Sequence, residues 1–456
     1  MFSLDTQLYQ RSPVWFQEAF IAAWSLVRQI LRERSRFHDL FAQVQQTEWL
    51  SAAQLEELHL NEMVAIVRHA AESVPYYSDL FRNEGIRPQD LRSLDDFRKI
   101  PFLSKRQVVE AGASMLATNH RGLRFKSGTG GTTGLSMTGY RDLPSINREN
   151  AFLWRQLQWA GFQKGQRRAW IRGEMIVPVS QTAPPFWRFN RPDNMLMMSS
   201  IHLSYANADA YIKALQEFDP ALIQAYPSSI AYLAKYLDSR GKCYAAPSLK
   251  AIVTSSETLL GDHRRTIERV MACPVFDCYG TFERVAAIGT CEHLRYHILS
   301  DYSFVELVPQ TDGTAELVGT GFHNFLMPFL RYRAGDAIAL AEPNSTCPCG
   351  RSFPVIKQIL GRLDDCVKTP DGRHIGMMIN IFDGLETLWE GQIVQDRLHE
   401  IRILVVPIGQ FEADDRATLI SRARARLGSA MSITVDAVPS IPRTKSGKLR
   451  AVVCNV

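Results

Sequence analysis

The fold is decided in the middle of the chain, at Ala221-Leu222-Ile223-Gln224-Ala225-Tyr226. This uncharged, largely apolar run, closed by Pro227, predicts a buried strand. Residues 228–238 (SSIAYLAKYLD) carry apolar positions at helical spacing, and 249–254 (LKAIVT) predicts a second strand. Residues 262–271 predict another helix and 274–279 (PVFDCY) an extended segment. Short apolar strands alternating with helices imply a mainly parallel α/β sheet, because parallel neighbours need a crossover between them.

Outward from this centre the pattern changes. The first hundred residues read as mostly helical: a periodic stretch over 51–74 stops at Pro75, and short helical turns over 88–100 stop at Pro101. Residues 15–31 predict an amphipathic helix with Phe16, Phe20, Trp24 and Val27 on one stripe. Gln17, Glu18, Arg28 and Gln29 interrupt it, so no transmembrane span is expected. Docking on its own protein is expected, with attachment to a membrane surface as the alternative. On the other side, residues 302–340 hold short β segments (FVELV, AELVGT, AIALAE) joined by turns such as Thr311-Asp312-Gly313, which suggests a small antiparallel or barrel-like unit. After Gly361-Arg362 a compact α+β module is expected, with a strand at 401–406 and a helix at 414–427. The expected division is a helical extension (1–60), a large domain (61–361, with a β subdomain near 302–345) and a C-terminal lid (362–456).

Composition narrows the function. With 46% hydrophobic and 22% charged residues over 456 positions, disordered and fibrous classes are excluded. The net charge, 52 − 47 = +5, is too weak for a dedicated nucleic-acid binder. Eight cysteines make no disulfide framework, and without a secretory leader a cytoplasmic location is expected.

The most unusual stretch is Ser127-Gly128-Thr129-Gly130-Gly131-Thr132-Thr133-Gly134. Its glycines let the backbone expose consecutive N–H groups, and the threonine hydroxyls add donors, which together suit phosphate oxygens. Neither common nucleotide motif is met: no Lys follows a glycine in this stretch, and Thr133 stands where the dinucleotide fingerprint needs its third glycine. Downstream lie Ser255-Ser256-Glu257, Tyr279-Gly280-Thr281-Phe282-Glu283, Tyr332-Arg333-Ala334-Gly335-Asp336, Gly361-Arg362-Leu363-Asp364-Asp365 and the tail Pro442-Arg443-Thr444-Lys445-Ser446-Gly447-Lys448.

In this order and at these distances the motifs resemble those of the adenylate-forming enzymes, which include acyl-CoA synthetases, adenylation domains and luciferases. The resemblance runs over about residues 60–456 and is closer to the phenylacetate–CoA ligase branch with its capsular-polysaccharide relatives. It implies a large α/β domain with helix-flanked, mainly parallel sheets, a barrel-like subdomain and a mobile lid, the active site lying between body and lid. It implies that ATP activates a small-molecule carboxylic acid as an acyl-adenylate, releasing pyrophosphate, and that the acyl group then passes to CoA. Alternatives are another acceptor (an amine, a hydroxyl, a carrier protein or a deazaflavin coenzyme) and a nucleotide-binding protein without turnover. A homodimer is a further possibility.

The resemblance also implies roles. Thr129, Gly130, Gly131, Thr132, Thr133 and Gly134 would wrap the departing phosphates, with Thr132 counted as catalytic. Asp336 would accept hydrogen bonds from the ribose hydroxyls, Glu283 would approach Mg²⁺ and Tyr279 would stack beside the adenine. Ser256, Glu257, Gly280 and Thr281 complete the nucleotide set. Lys448 would place its ammonium between the attacking carboxylate and the α-phosphate, where charge grows in the transition state. Arg362 and Asp364 would form the hinge, Arg362 also touching nucleotide. Tyr226, Pro227, Ser228, Ile230 and Ser255 would line the acyl pocket, with Trp187 and Phe189 covering it. Two positions depart from the family: Phe282 stands where relatives carry Thr or Ser, and Ser136 where they carry Pro.

Finally, Cys347-Pro348-Cys349 is a tight pair on a Pro/Gly turn, and Cys291 and His297 lie earlier. Cys291, His297, Cys347 and Cys349 would make a Cys₃His set suited to structural Zn²⁺, with His293 as the rival imidazole. Ordinary buried thiols are the alternative.

Overall fold

The structure, a computed structural model, describes residues 7–33, 36–128, 137–311, 313–363, 365–376, 378–385, 387–444 and 447–456. Two compact units are formed: one from the chain up to Ser25, Phe162–Phe276 and Leu360–Val456, the other from Leu26–Gly161 and Asp277–Ile359.

The first unit contains the predicted parallel sheet. Arg168–Arg172 lies between Met195–Ser199 and Leu222–Ala225, parallel to both, and Leu222–Ala225 is parallel to Ala251–Ser255. Trp187–Asn190 adds an antiparallel edge beside Met195–Ser199. Every residue of Met195–Ser199 and Leu222–Ala225 is buried, as expected for strands covered on both faces. The crossovers are Ala208–Phe218, Pro227–Asp238 and Gly261–Met271. Pro227 opens its helix at a position where a missing N–H costs nothing.

The C-terminal segment of this unit has its own four-stranded sheet, in the order Ser432–Ala437, Glu400–Pro407, Leu388–Arg397, Val452–Cys454. Helix Ala413–Leu427 packs Leu419, Ala423 and Leu427 into a core with Ile393, Ile403 and Val435. This is the expected α+β module.

The N-terminal helix, Val14–Arg32, forms as expected, but its stripe is corrected. The positions it buries are Gln17, Ile21 and Ser25, whereas Val27 is 43% exposed. Gln17 donates to the carbonyls of Tyr9 and Ser12 and accepts from Arg188, and Ser25 donates to Asp193. The polar seam is buried because its hydrogen bonds are satisfied.

In the second unit, Ala52–Ser73 starts on a capping box between Ser51 and Gln54 and ends before Pro75. Its Met63, Ile66, Val67 and Ala70 are fully buried with Phe97, Phe322 and Tyr332. Ser303–Pro309, Ala315–Gly321 and Tyr332–Leu340 form an antiparallel meander, and Ala287–Thr290 pairs antiparallel with Tyr296–Ile298.

Candidate functional site

In parallel α/β sheets, ligands collect at the C-terminal ends of the strands. In the first unit those ends are Arg172, Ser199, Ala225 and Ser255, and several predicted residues gather there. Arg172 donates to the Ser255 hydroxyl, and its guanidinium lies 5.4 Å from the Trp170 ring and 5.6 Å from the Tyr226 ring. Ser256 takes a left-handed φ of 73° just past its strand, a strained conformation of the kind that clusters at functional sites. The chain therefore turns back, and Glu257 accepts the backbone N–H of Ser228 at 3.0 Å with one oxygen and that of Leu449 at 2.8 Å with the other.

The tail thus reaches the strand ends. Gly447 N donates to Thr444 O, and Thr444 N donates to Lys448 O. Gly447 has φ 70°, and an added Cβ would stand 2.8 Å from Gly173 Cα and clash with Ser200 Oγ. Lys448 Nζ lies 5.9 Å from the Tyr226 ring centroid. Burial pushes the Lys448 ammonium below the ordinary lysine range; Glu257 opposes this, while Arg172 and Arg362 add to it. The structure therefore brings Lys448, Tyr226, Ser228, Ser255, Glu257 and Arg362 together. Ile230 is fully buried in the core. Trp187 and Phe189 stand within the edge strand Trp187–Asn190, where Trp187 meets Tyr211 edge-on and Phe189 meets Phe218.

Further contacts fasten the module to helix Pro227–Asp238. Arg443 pairs with Glu390 and donates to Ser228 Oγ at 3.3 Å. Lys235 donates to the Leu388 carbonyl at 2.8 Å, and Trp389 stacks on Tyr232 with ring centroids 4.9 Å apart. Burial holds Glu390 above the usual carboxylate range, with Arg443 opposing. His263, beside Lys235, is pushed down to about 3, by burial first and by the Lys235 charge second. Sequence reasoning missed Arg172, Lys235, Trp389 and Glu390. None stands in a motif, although the position of Arg172 at a strand's C-terminal end was a usable signal.

The second unit holds the other predicted residues. Asp336 lies inside Tyr332–Leu340, on a bulge. Arg333 opposes Val318 while Ala337 opposes Glu316, so three residues on that strand stand against one on its neighbour, and Gly335 supplies the positive φ of 70° the bulge needs. Asp336 is buried and accepts from the Tyr279 hydroxyl at 2.6 Å. Glu283 accepts from the Tyr332 hydroxyl at 2.8 Å. Thr281 spends its hydroxyl on Val285 N, closing the turn after Gly280. Phe282 lies against Gly139, whose added Cβ would stand 2.8 Å from the ring. Arg141 caps that ring 4.6 Å from its centroid and donates to the Phe282 carbonyl at 2.5 Å. Burial and Arg284 lower the Arg141 guanidinium to about 10. The phosphate-loop residues Thr129, Gly130, Gly131, Thr132, Thr133 and Gly134, with Ser136, Asp364, Lys445 and Ser446, lie outside the described residues. On either side of these residues, Phe125–Gly128 pairs antiparallel with Thr138–Arg141.

In the same unit Cys291, His297, Cys347 and Cys349 place their ligand atoms within 4.8 Å of one another. Cys291 Sγ lies 3.5 Å from Cys347 Sγ, and Cys349 Sγ lies 3.5 Å from His297 Nε2. His297 Nδ1 is fixed by the Phe353 carbonyl at 3.1 Å, the outer-sphere bond that orients a metal-ligating imidazole. Burial, followed by the neighbouring thiol of Cys291, pushes the Cys347 thiol up to about 12. The donor set fits tetrahedral zinc.

Comparison with known proteins agrees with this architecture. The family model described as CapK C-terminal domain matches residues 367–455. Protein CapK of Staphylococcus aureus is 26% identical over 98% of this chain and 99% of its own length. Phenylacetate-coenzyme A ligase of Thermus thermophilus is 25% identical over 89% of this chain and 97% of its own. Among solved structures, 2-hydroxyisobutyryl-CoA ligase in its postadenylation state superimposes with a TM-score of 0.70 at 19% identity, covering 90% of this chain and 91% of that one. The chain is similar along nearly its whole length to the adenylate-forming CoA ligase superfamily. Within it, its relatives at about one residue in four identical are CapK and the phenylacetate–CoA ligases.

No helix among the described residues is long and apolar enough to cross a membrane.

Proposed function

We propose that the chain activates a small carboxylic acid with ATP. A carboxylate oxygen attacks the α-phosphorus, the bond to the bridging oxygen of the β-phosphate breaks, and pyrophosphate leaves. The acyl group then passes from the adenylate to the sulfur of CoA, releasing AMP and the thiol proton. The observation that supports this reading best is the seating of Lys448 at the strand ends, among Tyr226, Arg172 and Glu257. Its ammonium neutralises charge that develops on the α-phosphate oxygens, and Arg172 adds a second cation on the same side. The Gly/Thr loop over 129–134 takes the leaving phosphates and Asp336 takes the ribose hydroxyls. Glu283 would hold Mg²⁺, a hard cation that takes one or two carboxylates together with phosphate oxygens and offsets their charge. Cys291, His297, Cys347 and Cys349 would hold a structural Zn²⁺. We assign residues 362–456 as the lid, hinged at Arg362 and Asp364.

ATP–pyrophosphate exchange over a broad panel of acids tests the first half-reaction. Exchange that appears with one acid class and falls by about 10²–10³ in Lys448→Ala is expected; an inactive panel would sink the proposal. Adding CoA and looking for an acyl thioester tests the second. Transfer to an acceptor other than CoA is the second reading, and exchange without thioester formation is its expected outcome.

A further inference from the structure

We propose that Glu257 is the positioning residue for Lys448, its carboxylate fastening the lysine-bearing tail to the first turn of the acyl-pocket helix. This rests on the reading of Lys448 given above. One oxygen takes the Ser228 N–H at 3.0 Å, a donor in the first turn of helix Pro227–Asp238 that has no partner inside the helix. The other takes the Leu449 N–H at 2.8 Å. The Leu449 amide nitrogen is bonded to the Lys448 carbonyl carbon, so fixing that N–H fixes the backbone from which the ammonium extends. A second hold acts on the other side, where Lys448 N donates to Thr444 Oγ1 at 3.1 Å. The two bonds locate Lys448 from both flanks.

The chemistry requires a carboxylate. Both partners are N–H donors, and an ionised carboxylate offers two acceptors with no donor of its own. A glutamine keeps the shape but turns an NH₂ toward one of the two N–H groups. A carboxylate at a helix N-terminus is also favoured by the helix dipole. The charged groups facing Lys448 among the described residues are Glu257, Arg172 and Arg362, with the Tyr226 ring beside them. Two guanidiniums against one carboxylate disfavour a further cation, so removing Glu257 lets the ammonium give up its proton at lower pH.

The position also joins two functions in one group. Ser228 belongs to the predicted acyl pocket and receives Arg443 on its hydroxyl as well as Glu257 on its amide. An acid that displaces the start of this helix therefore displaces the anchor of the catalytic lysine.

The test compares wild type, Glu257→Gln and Glu257→Asp in the full chain. Pyrophosphate exchange is followed across pH, and hydrogen exchange of the Leu449 amide is followed alongside it. Expected for Glu257→Gln is a kcat for exchange lower by about tenfold with a smaller change in acid KM, an alkaline limb shifted to lower pH, and Leu449 exchanging about tenfold faster. Glu257→Asp retains the charge but withdraws the oxygens, so it should keep the alkaline limb while losing the Leu449 protection. Unchanged Leu449 protection together with an unmoved alkaline limb in Glu257→Gln would overturn the assignment. If wild type shows no exchange with any acid, the proposed function falls, and Leu449 protection alone then decides the tether.

Discussion

Gly447 and Gly173 meet where the C-terminal tail crosses the end of strand Arg168–Arg172, so closely that a methyl group on Gly447 would stand 2.8 Å from the Gly173 α-carbon. The φ of 70° at Gly447 independently favours glycine. Gly447→Ala is therefore expected to unseat Lys448. Pyrophosphate exchange should fall as far as in Lys448→Ala, and thioester formation from supplied acyl-adenylate should survive. Thermal unfolding should change little, since the module keeps its own core.

The Tyr279–Asp336 bond orients the buried carboxylate assigned to the ribose. Tyr279→Phe keeps the ring and deletes a hydrogen bond to a charged acceptor, an interaction worth about 1.5–3 kcal/mol. The KM for ATP should rise by roughly tenfold or more, while the KM for the acid stays near its wild-type value. Steady-state exchange at varied ATP and acid separates the two.

Metal content is checked directly. Elemental analysis of purified protein is expected to find one zinc per chain, and Cys349→Ser to lose it. Because the Cys347 thiol lies at about 12 when no cation is bound, binding must displace protons, so zinc affinity should fall as pH falls. A metal-free protein whose melting temperature ignores chelator would remove the site.

His263 sets an acid limit on stability. Its folded-state value, about 3, lies below the ordinary histidine value of 6.5, so the unfolded chain takes up the proton first. Its contribution is fully present above the unfolded value and is lost as pH falls toward the folded one, by at most about 1.4 kcal/mol per pH unit. Melting temperatures measured from pH 7.5 to pH 5 should decline, and His263→Gln should flatten the decline. A wild-type curve with no slope in that window contradicts the assignment.

Much of the fold was legible because its strands are apolar runs closed by breakers. Residues 221–226 became Leu222–Ala225 beneath the helix that Pro227 opens, and residues 249–254 became Ala251–Ser255. What escaped was burial without hydrophobicity. The seam of Val14–Arg32 is Gln17, Ile21 and Ser25, and a pattern of apolar residues cannot show that a glutamine is inside when the donor to its carbonyl, Arg188, lies far along the chain. The bulge at Asp336 escaped for a related reason: a register irregularity is a property of two strands, and Gly335 alone does not reveal it. Motif order pointed to Lys448, Glu257 and Asp336. It gave no hint of Arg172 or Lys235, whose partners are a hydroxyl and a carbonyl brought near only by folding.

The stacking of Trp389 on Tyr232, with Tyr205 and Tyr236 close by, gives the chain an optical reporter of its own. A phenol ring 4.9 Å from an indole hands its excitation to it efficiently, so light absorbed by these tyrosines is emitted by Trp389 while the module stays docked. Undocking separates donors from acceptor and shifts emission back toward the phenols. The movement proposed for residues 362–456 can therefore be timed in stopped flow on the unlabelled protein.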